Sequence, residues 1–400
     1  MKLGVVAIAL CSAVLSCAAA SAKQAPPPPP YEGAYQPQGL DEIGMWREDD
    51  ESERELVASN LLIRDENLTA YVTKVLCDTI GTDRCKSVRV YILREPTFNA
   101  SMSPNGTMRV LSGLFLRVHD EAELGAVLGH EFGHFEKRHG VERFKSARSG
   151  SDMLAWGAVL ASIAPTYDTR RSYQNLQLSV YGNFFRFKRN QEREADILGI
   201  GYLNHSPLPP QGATRVWKNV MAEIDASVRA KGLSKPNFNA IAFTASHPPE
   251  AERAAYLEEL AQPDASSRND ESERYRQSLQ QWLPIFLNDQ VKLNDFGASE
   301  YLIQSLAERG WTAWLWNARG ELYRGRGNPR DLVNASEFYS KAIGLDPNLA
   351  EAYRGLGLSL LKTGHAAEGQ NALRKYLQLN PNAADARLIA MMVPKEVTTK

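Results

Sequence analysis

The chain has 400 residues, with 46 Lys and Arg against 47 Asp and Glu and a formal net charge of −1. That balance offers no basic field and excludes a nucleic-acid partner drawn in by overall charge. A hydrophobic content of 43% with 9% aromatic residues is that of ordinary globular protein, and the length calls for two domains, each able to bury a core.

Residues 1–22, MKLGVVAIALCSAVLSCAAASA, combine Lys2, a short apolar run and then small residues, the pattern of a secretory signal peptide. Cleavage after Ala20-Ser21-Ala22 leaves Lys23 first. The alternative is lipidation at Cys17, preceded by Val14-Leu15-Ser16. Residues 23–50 open on a proline-rich run and read as an extended tether. Cys77 and Cys85 lie eight apart beyond the leader. In an exported chain they are expected to form a disulfide that closes a short loop.

Apolar residues recur at helical spacing between about 52 and 80. The β-branched run KSVRVYIL (86–93) reads as a strand. Then NASMS, the turn Pro104-Asn105-Gly106 and TMRVLSGLF read as a strand pair. Asp120 followed by Glu123 is a capping signal that opens a helix running to about 138. The apolar segment 153–165 is too short to span a bilayer. It reads as a buried helix or, failing that, as a surface element that touches lipid. The polar, aperiodic stretch 263–274 reads as a linker between a domain over 51–262 and a helical domain over 275–400.

That helical region contains an internal repeat. Asp346-Pro347-Asn348 recurs as Asn380-Pro381-Asn382, and at the same offset Tyr339 matches Leu373 and Ala335 matches Gly369. Tyr353-x-x-Leu356-Gly357 corresponds to Trp316-x-x-Arg319-Gly320. Period, glycine placement and closing proline resemble the tetratricopeptide repeat (TPR), a helix pair whose stacked copies form a concave surface. The stretch 275–310 is a candidate for a further, degenerate unit.

The chemistry sits in GHEFGHFEKRHG, residues 129–140. His-Glu-x-x-His arises by chance about 0.01 times in a chain of this histidine content, so the match is specific. At about 100° per residue His130 and His134 differ by about 40° and can reach one ion. Glu131 lies on the flank of that face, placed to take a proton from the attacking water and return it to the leaving amine. Zinc in such a site brings the pKa of water to roughly 7. His139, about 140° from His134 on the same helix, is expected to face away, as a helix-end residue favourable at the negative dipole terminus. A third ligand must come from elsewhere. Glu192, Glu194 and Asp196 offer it: Glu192 and Asp196 share one helical face, Glu194 lies on the opposite flank, and one carboxylate can bind metal while another orients a ligand histidine. Gly125, Gly129 and Gly133 form a stripe on the same helix as His130, each costing about 1 kcal/mol of helix propensity. The stripe is expected to admit the backbone of another element.

His-Glu-x-x-His with the downstream Glu192-Arg193-Glu194-Ala195-Asp196 resembles the zinc metallopeptidase family of HtpX, BepA, the Oma-type proteases and the CAAX prenyl proteases. The block from Asn99 to His139 looks like that family's substrate-edge strand and active-site helix, and Ser246-His247-Pro248 through Arg253 looks like a further element of it. The resemblance implies an α+β, mainly α fold: a zincin-type domain with a small edge sheet, followed by the α-helical TPR solenoid. It implies one Zn2+ held by His130, His134 and Glu192, with Asp196 orienting a ligand and Glu131 as general base. His247 is either an oxyanion stabiliser, a fourth metal ligand that holds the enzyme latent, or a turn-ordering residue. Arg253 either stabilises the oxyanion or anchors a helix. The strand over 107–111 is expected to offer its edge to an extended substrate. An exported protease followed by repeats looks most like the BepA-type members. That resemblance implies a periplasmic enzyme, free, lipid-anchored or at the outer membrane, acting on unfolded or stalled envelope polypeptides. Its repeats would meet substrates or outer-membrane assembly proteins. The competing reading is a latent protease fold serving as a chaperone-like adaptor through its repeats; the intact Glu131 and complete ligand set favour the enzyme.

Overall fold

The computed structural model describes residues 37–163, 167–239 and 249–393. Helices α1 (Gly39–Ala58), α2 (Glu66–Ile80) and the four-residue α3 (Thr82–Cys85) precede strands β1 (Arg89–Leu93), β2 (Ala100–Met102) and β3 (Thr107–Leu111). Then come α4 (Glu121–Glu136), α5 (His139–Ile163), α6 (Tyr167–His205), α7 (Gly212–Ala230) and α8 (Glu250–Leu260). The rest is helical: α9 (Ser272–Leu279), α10 (Leu283–Lys292), α11 (Phe296–Leu306), α12 (Ala313–Arg326), α13 (Pro329–Leu345), α14 (Ala350–Lys362), α15 (Ala366–Leu379) and α16 (Ala386–Met391).

Aspartate caps place the two helices that matter most. Asp65 accepts from the backbone N–H of Asn67 and Leu68 and starts α2. Asp120 accepts from Glu123 at 2.8 Å and starts α4, as its sequence signal requires. Helix α2 then buries Leu68, Val72, Val75, Leu76 and Ile80. The disulfide Cys77–Cys85 joins its last turns to α3.

The sheet corrects one expectation. Its order is β1-β3-β2, with β3 parallel to β1 and antiparallel to β2. Strand β3 is therefore central, both its edges are paired, and it cannot offer one to a substrate. Among the described residues the outer strands are β1, bridged at Leu93 to Leu62, and β2, which pairs only with β3. The β2–β3 turn works as read: Gly106 takes φ 93°, a region that favours glycine, and its N–H bonds Ser103 O at 3.0 Å.

Two further expectations change because charge there marks pairing rather than solvent. The tether expected over 23–50 gives way to helix at Gly39. Helix α1 is held by Glu53 to Arg89 (2.5 Å), Lys145 to Glu42 (2.7 Å) and Arg148 to Asp41. The stretch 263–274 does not separate two cores. Arg268 caps the carbonyls of Leu203, Asn204, Ser206 and Leu208, and Arg274 pairs with the fully buried Glu121 of α4. One apolar core runs unbroken from Ile63 to Leu322, and a second begins only at Ala335. The segment 153–165 lies in α5 as far as Ile163, with Met153 and Val159 about half exposed; Ala164 and Pro165 lie outside the described residues.

In the repeat region α12 packs on α13, α13 on α14 and α14 on α15. A Cβ at Gly320 would lie 2.6 Å from the Tyr339 ring, and one at Gly357 would lie 2.6 Å from Leu373 Cγ. These are equivalent positions of the sequence repeat, so both units bury the same glycine-to-side-chain contact.

The α1 clamp gives a pH test. Hydrogen bonding from Arg89 pulls the Glu53 carboxyl down to about 2 from an ordinary 4.5. A depressed carboxyl stabilises the fold fully above about pH 4.5 and loses that contribution as pH falls towards 2. Glu53→Gln is expected to lower stability at pH 7 by about 1 kcal/mol, with the gap from wild type closing towards pH 2 in denaturant titrations. A gap that stays constant with pH would contradict this assignment.

Candidate metal centre

The site exists because α4 and α6 cross unusually closely. A Cβ at Gly133 would stand 3.1 Å from Ala195 O and 3.2 Å from Ala195 Cα, and one at Gly199 would stand 3.1 Å from the His130 backbone N. Of the expected glycine stripe, Gly133 admits a backbone. Gly125 faces the side chain of Thr79 on α2, and Gly129 meets Thr79 first with the Gly199 backbone of α6 just beyond it at 3.7 Å. Gly199, which the stripe did not include, supplies the other half of the crossing.

That crossing brings His130 and His134 to Glu192. His130 Nε2 lies 3.4 Å from Glu192 Oε2 and His134 Nε2 lies 3.4 Å from Glu192 Oε1. The two Nε2 atoms are 3.1 Å apart, and one ligand atom from each of the three residues falls within 4.8 Å of the others. Asp196 takes the far nitrogen of His130, Oδ1 to Nδ1 at 2.8 Å. Arg253 grips Asp196 with two bonds, 2.7 and 2.6 Å, and Tyr256 donates to the same carboxylate. The Arg253 guanidinium also lies 3.7 Å over the Trp217 ring. Of the two roles open for Arg253, its observed contacts are those of an anchor: it holds the group that orients His130. Tyr256 was missed in the sequence, although its i,i+3 spacing from Arg253 on α8 was there to use. Trp217, on α7, had no local signal.

The electrostatics follow from burial and pairing. Burial works against charge on Asp196, yet Arg253 and His130 hold its carboxyl well below the usual range. Burial likewise opposes charge on His130, but Asp196 and Glu192 outweigh it and lift the imidazole to about 9. His134 falls to about 4, chiefly through burial. Glu131, on the flank of the cluster, is pushed up by burial to about 7, where a carboxyl can both take and give a proton near neutrality.

His139 is not where the helical extrapolation put it. Helix α4 ends at Glu136, Arg138 takes φ 56°, and His139 opens α5. It therefore sits at a helix N-terminus rather than a C-terminus, is buried, and faces His134 at 2.9 Å between the two Nδ1 atoms. It remains outside the ligand set. Glu194 pairs with Lys137 and His139 on the flank away from Glu192. His247 and Cys17 lie outside the described residues.

A cleft of about 620 Å³ opens over the cluster, walled on one side by the run Phe98–Met102, which includes β2, and on the other by Val216, Trp217, Val220 and Leu257 of α7 and α8. Glu131 and Arg143 line it with the three ligand candidates.

With this geometry in hand, comparison with known proteins places about half of the chain. Residues 63–261 match Peptidase family M48. The chain carries an M48 peptidase domain. It is 27% identical over 212 residues to the mitochondrial metalloendopeptidase OMA1 of Schizosaccharomyces pombe, covering 52% of this chain and 58% of that protein. It is 31% identical over 169 residues to the beta-barrel assembly-enhancing protease of Yersinia pestis, covering 40% and 34%. It is 29% identical over 169 residues to the metalloprotease YcaL of Escherichia coli, covering 42% and 59%. The chain thus spans between a third and three-fifths of these relatives. M48 peptidases are zinc-dependent, and the residues here fit that ion: two imidazole nitrogens and a carboxylate converge, and one imidazole is already held by a buried carboxylate on its other side.

The crossing makes a discriminating prediction. Gly133→Ala sets its methyl 3.1 Å from the Ala195 carbonyl oxygen, so helix backbone must shift to admit it, and is expected to lower the unfolding temperature by several degrees, about 1–3 kcal/mol, and to weaken zinc binding. Gly129→Ala meets the Thr79 methyl at 3.3 Å, with Tyr202 Cδ2 and Gly199 Cα at the ordinary contact distances of 3.6 and 3.7 Å, and is expected to be near neutral in both readouts. Equal effects from the two variants would contradict the crossing as the basis of the site.

Proposed function

We propose that the chain is an exported zinc-dependent endopeptidase that cleaves unfolded or stalled envelope polypeptides. The observation that carries the reading is Glu131 placed beside the His130, His134 and Glu192 cluster in an open cleft. Zinc, when bound there, supplies a Lewis acid that makes water nucleophilic at neutral pH. Glu131 takes the proton of the attacking water and returns it to the departing amine. His130 and His134 hold the ion, Asp196 and Arg253 fix the orientation of His130, and the apolar wall of Trp217, Val220 and Leu257 limits access of bulk water.

Among the described residues β2 pairs only with β3, which leaves its other edge to the cleft that Ala100, Ser101 and Met102 line. An extended chain laid along that edge is bound through its backbone, with little demand on sequence. That mode suits unfolded segments better than one defined peptide.

Export rests on the leader over residues 1–22 and on the Cys77–Cys85 disulfide, a pairing at home in an oxidising compartment such as the periplasm. No helix among the described residues is long and apolar enough to cross a membrane. A lipid anchor at Cys17 and the half-exposed Met153 and Val159 of α5 are the features that would hold the enzyme at a membrane. Helices α12–α15, with their repeated glycine contacts, act in this reading as TPR-like units that dock substrates or partner proteins. The relatives named for enhancing β-barrel assembly favour outer-membrane assembly proteins as those partners.

The test is hydrolysis of an unfolded protein by the purified chain, with Glu131→Gln alongside. Gln keeps the shape but takes no proton, so a loss of about 10²–10⁴ in rate is expected, with zinc content unchanged, and chelation is expected to abolish the wild-type activity. Absence of wild-type cleavage with zinc bound would overturn the enzymatic reading in favour of an adaptor that works through the repeats.

A further inference from the structure

His134 turns Nε2 towards His130 and Glu192, so its other ring nitrogen, Nδ1, points into the protein. An imidazole that gives Nε2 to a metal carries its proton on Nδ1 and has to donate it. Two groups stand within reach of that atom: Arg143 Nη2 at 3.1 Å and His139 Nδ1 at 2.9 Å. Arginine has five donors and no acceptor, so Arg143 cannot take this hydrogen bond. A histidine can. His139 is 1% exposed, and its far nitrogen, Nε2, lies 3.3 Å from Glu194 Oε2, while Lys137 holds the other Glu194 oxygen at 3.0 Å.

We propose that His139 and Glu194 are positioning residues for the zinc ligand His134, forming a relay in which His134 Nδ1–H donates to His139 Nδ1 and His139 Nε2–H donates to Glu194. Each ligand histidine then has its own carboxylate behind it. For His130 the carboxylate is Asp196, in direct contact at 2.8 Å. For His134 it is Glu194, which lies on the other flank of α6 from Glu192 and reaches His134 only through an intervening ring. The break between α4 and α5 at Arg138, φ 56°, is what turns that ring inwards. The relay fixes both the tautomer and the ring plane of His134, as carboxylates behind metal-bound histidines do. It rests on the zinc centre and is independent of which polypeptide is cleaved.

The test measures zinc affinity of the full chain by competition with a chromophoric chelator, together with the visible spectrum of the Co2+-substituted protein. His139→Phe fills the space but accepts nothing, and is expected to weaken zinc binding by about 10–100-fold and to shift the Co2+ spectrum. His139→Asn places an amide oxygen where Nδ1 stood and is expected to remain within about three-fold of wild type. Glu194→Ala, at a half-exposed position, is expected to weaken binding several-fold with an unchanged unfolding temperature, and it decides the matter if His139→Phe fails to fold. Wild-type affinity in both His139→Phe and Glu194→Ala would overturn the relay. So would a His139→Asn chain as weak as His139→Phe, since that pattern belongs to packing alone. A wild-type chain that takes up no zinc would instead overturn the centre on which the relay depends.

Discussion

Everything at the metal centre depends on how closely two helix backbones approach. At Gly133 and Gly199 neither α4 nor α6 carries a side chain, and each backbone rests against the other where a Cβ would stand about 3 Å from main-chain atoms. Glycine within a helix costs about 1 kcal/mol relative to alanine. The return is geometric: only at this separation do two histidines from one helix and a carboxylate from the other converge on a common point. Placed wider by a methyl, the same residues would line a groove without forming a donor set.

The close approach also dictates the electrostatics. Burying Glu192, Asp196 and Arg253 together is costly unless each finds a partner. The structure meets that demand with a chain of contacts running from Arg253 and Tyr256 through Asp196 to His130 and Glu192. Glu131 stands outside the chain. His130, Arg143 and Arg253 favour its ionised form, but burial outweighs them and lifts it towards neutrality. The same surroundings therefore fix one carboxylate as a permanent anion and leave another free to exchange a proton.

What could be read from sequence follows from the range of each interaction. His130, His134, Glu192 and Asp196 were legible because helical periodicity is local, and the Asp120 cap because it needs only three residues. Which of the carboxylates faces the histidines was implied by family resemblance and not by spacing. His139 was misplaced because the break before it falls at Arg138, a residue that gives no warning of a left-handed turn. The central place of β3 was hidden, since its parallel pairing with β1 is non-local. Helix α1 and the stretch 263–274 looked solvated for a shared reason: charged residues such as Glu53 and Arg274 read as surface until the opposite charges that meet them, Arg89 and Glu121, are known.

That last pairing ties the two halves of the chain together. Arg274 bonds Glu121 in the first turn of α4, Tyr275 bonds Phe115 O just before it, and Ser305 of α11 bonds His119. The start of the helix that carries His130 and His134 is thus braced by the helical region that follows. The most direct test of the whole account is the zinc content and affinity of the purified wild-type chain beside Glu192→Ala, with circular dichroism as the check on folding. One zinc per wild-type chain and its loss from a folded Glu192→Ala chain is the expected result. A folded Glu192→Ala chain that keeps its zinc at wild-type affinity would contradict the account, because the ion would then be held somewhere other than the crossing of α4 and α6.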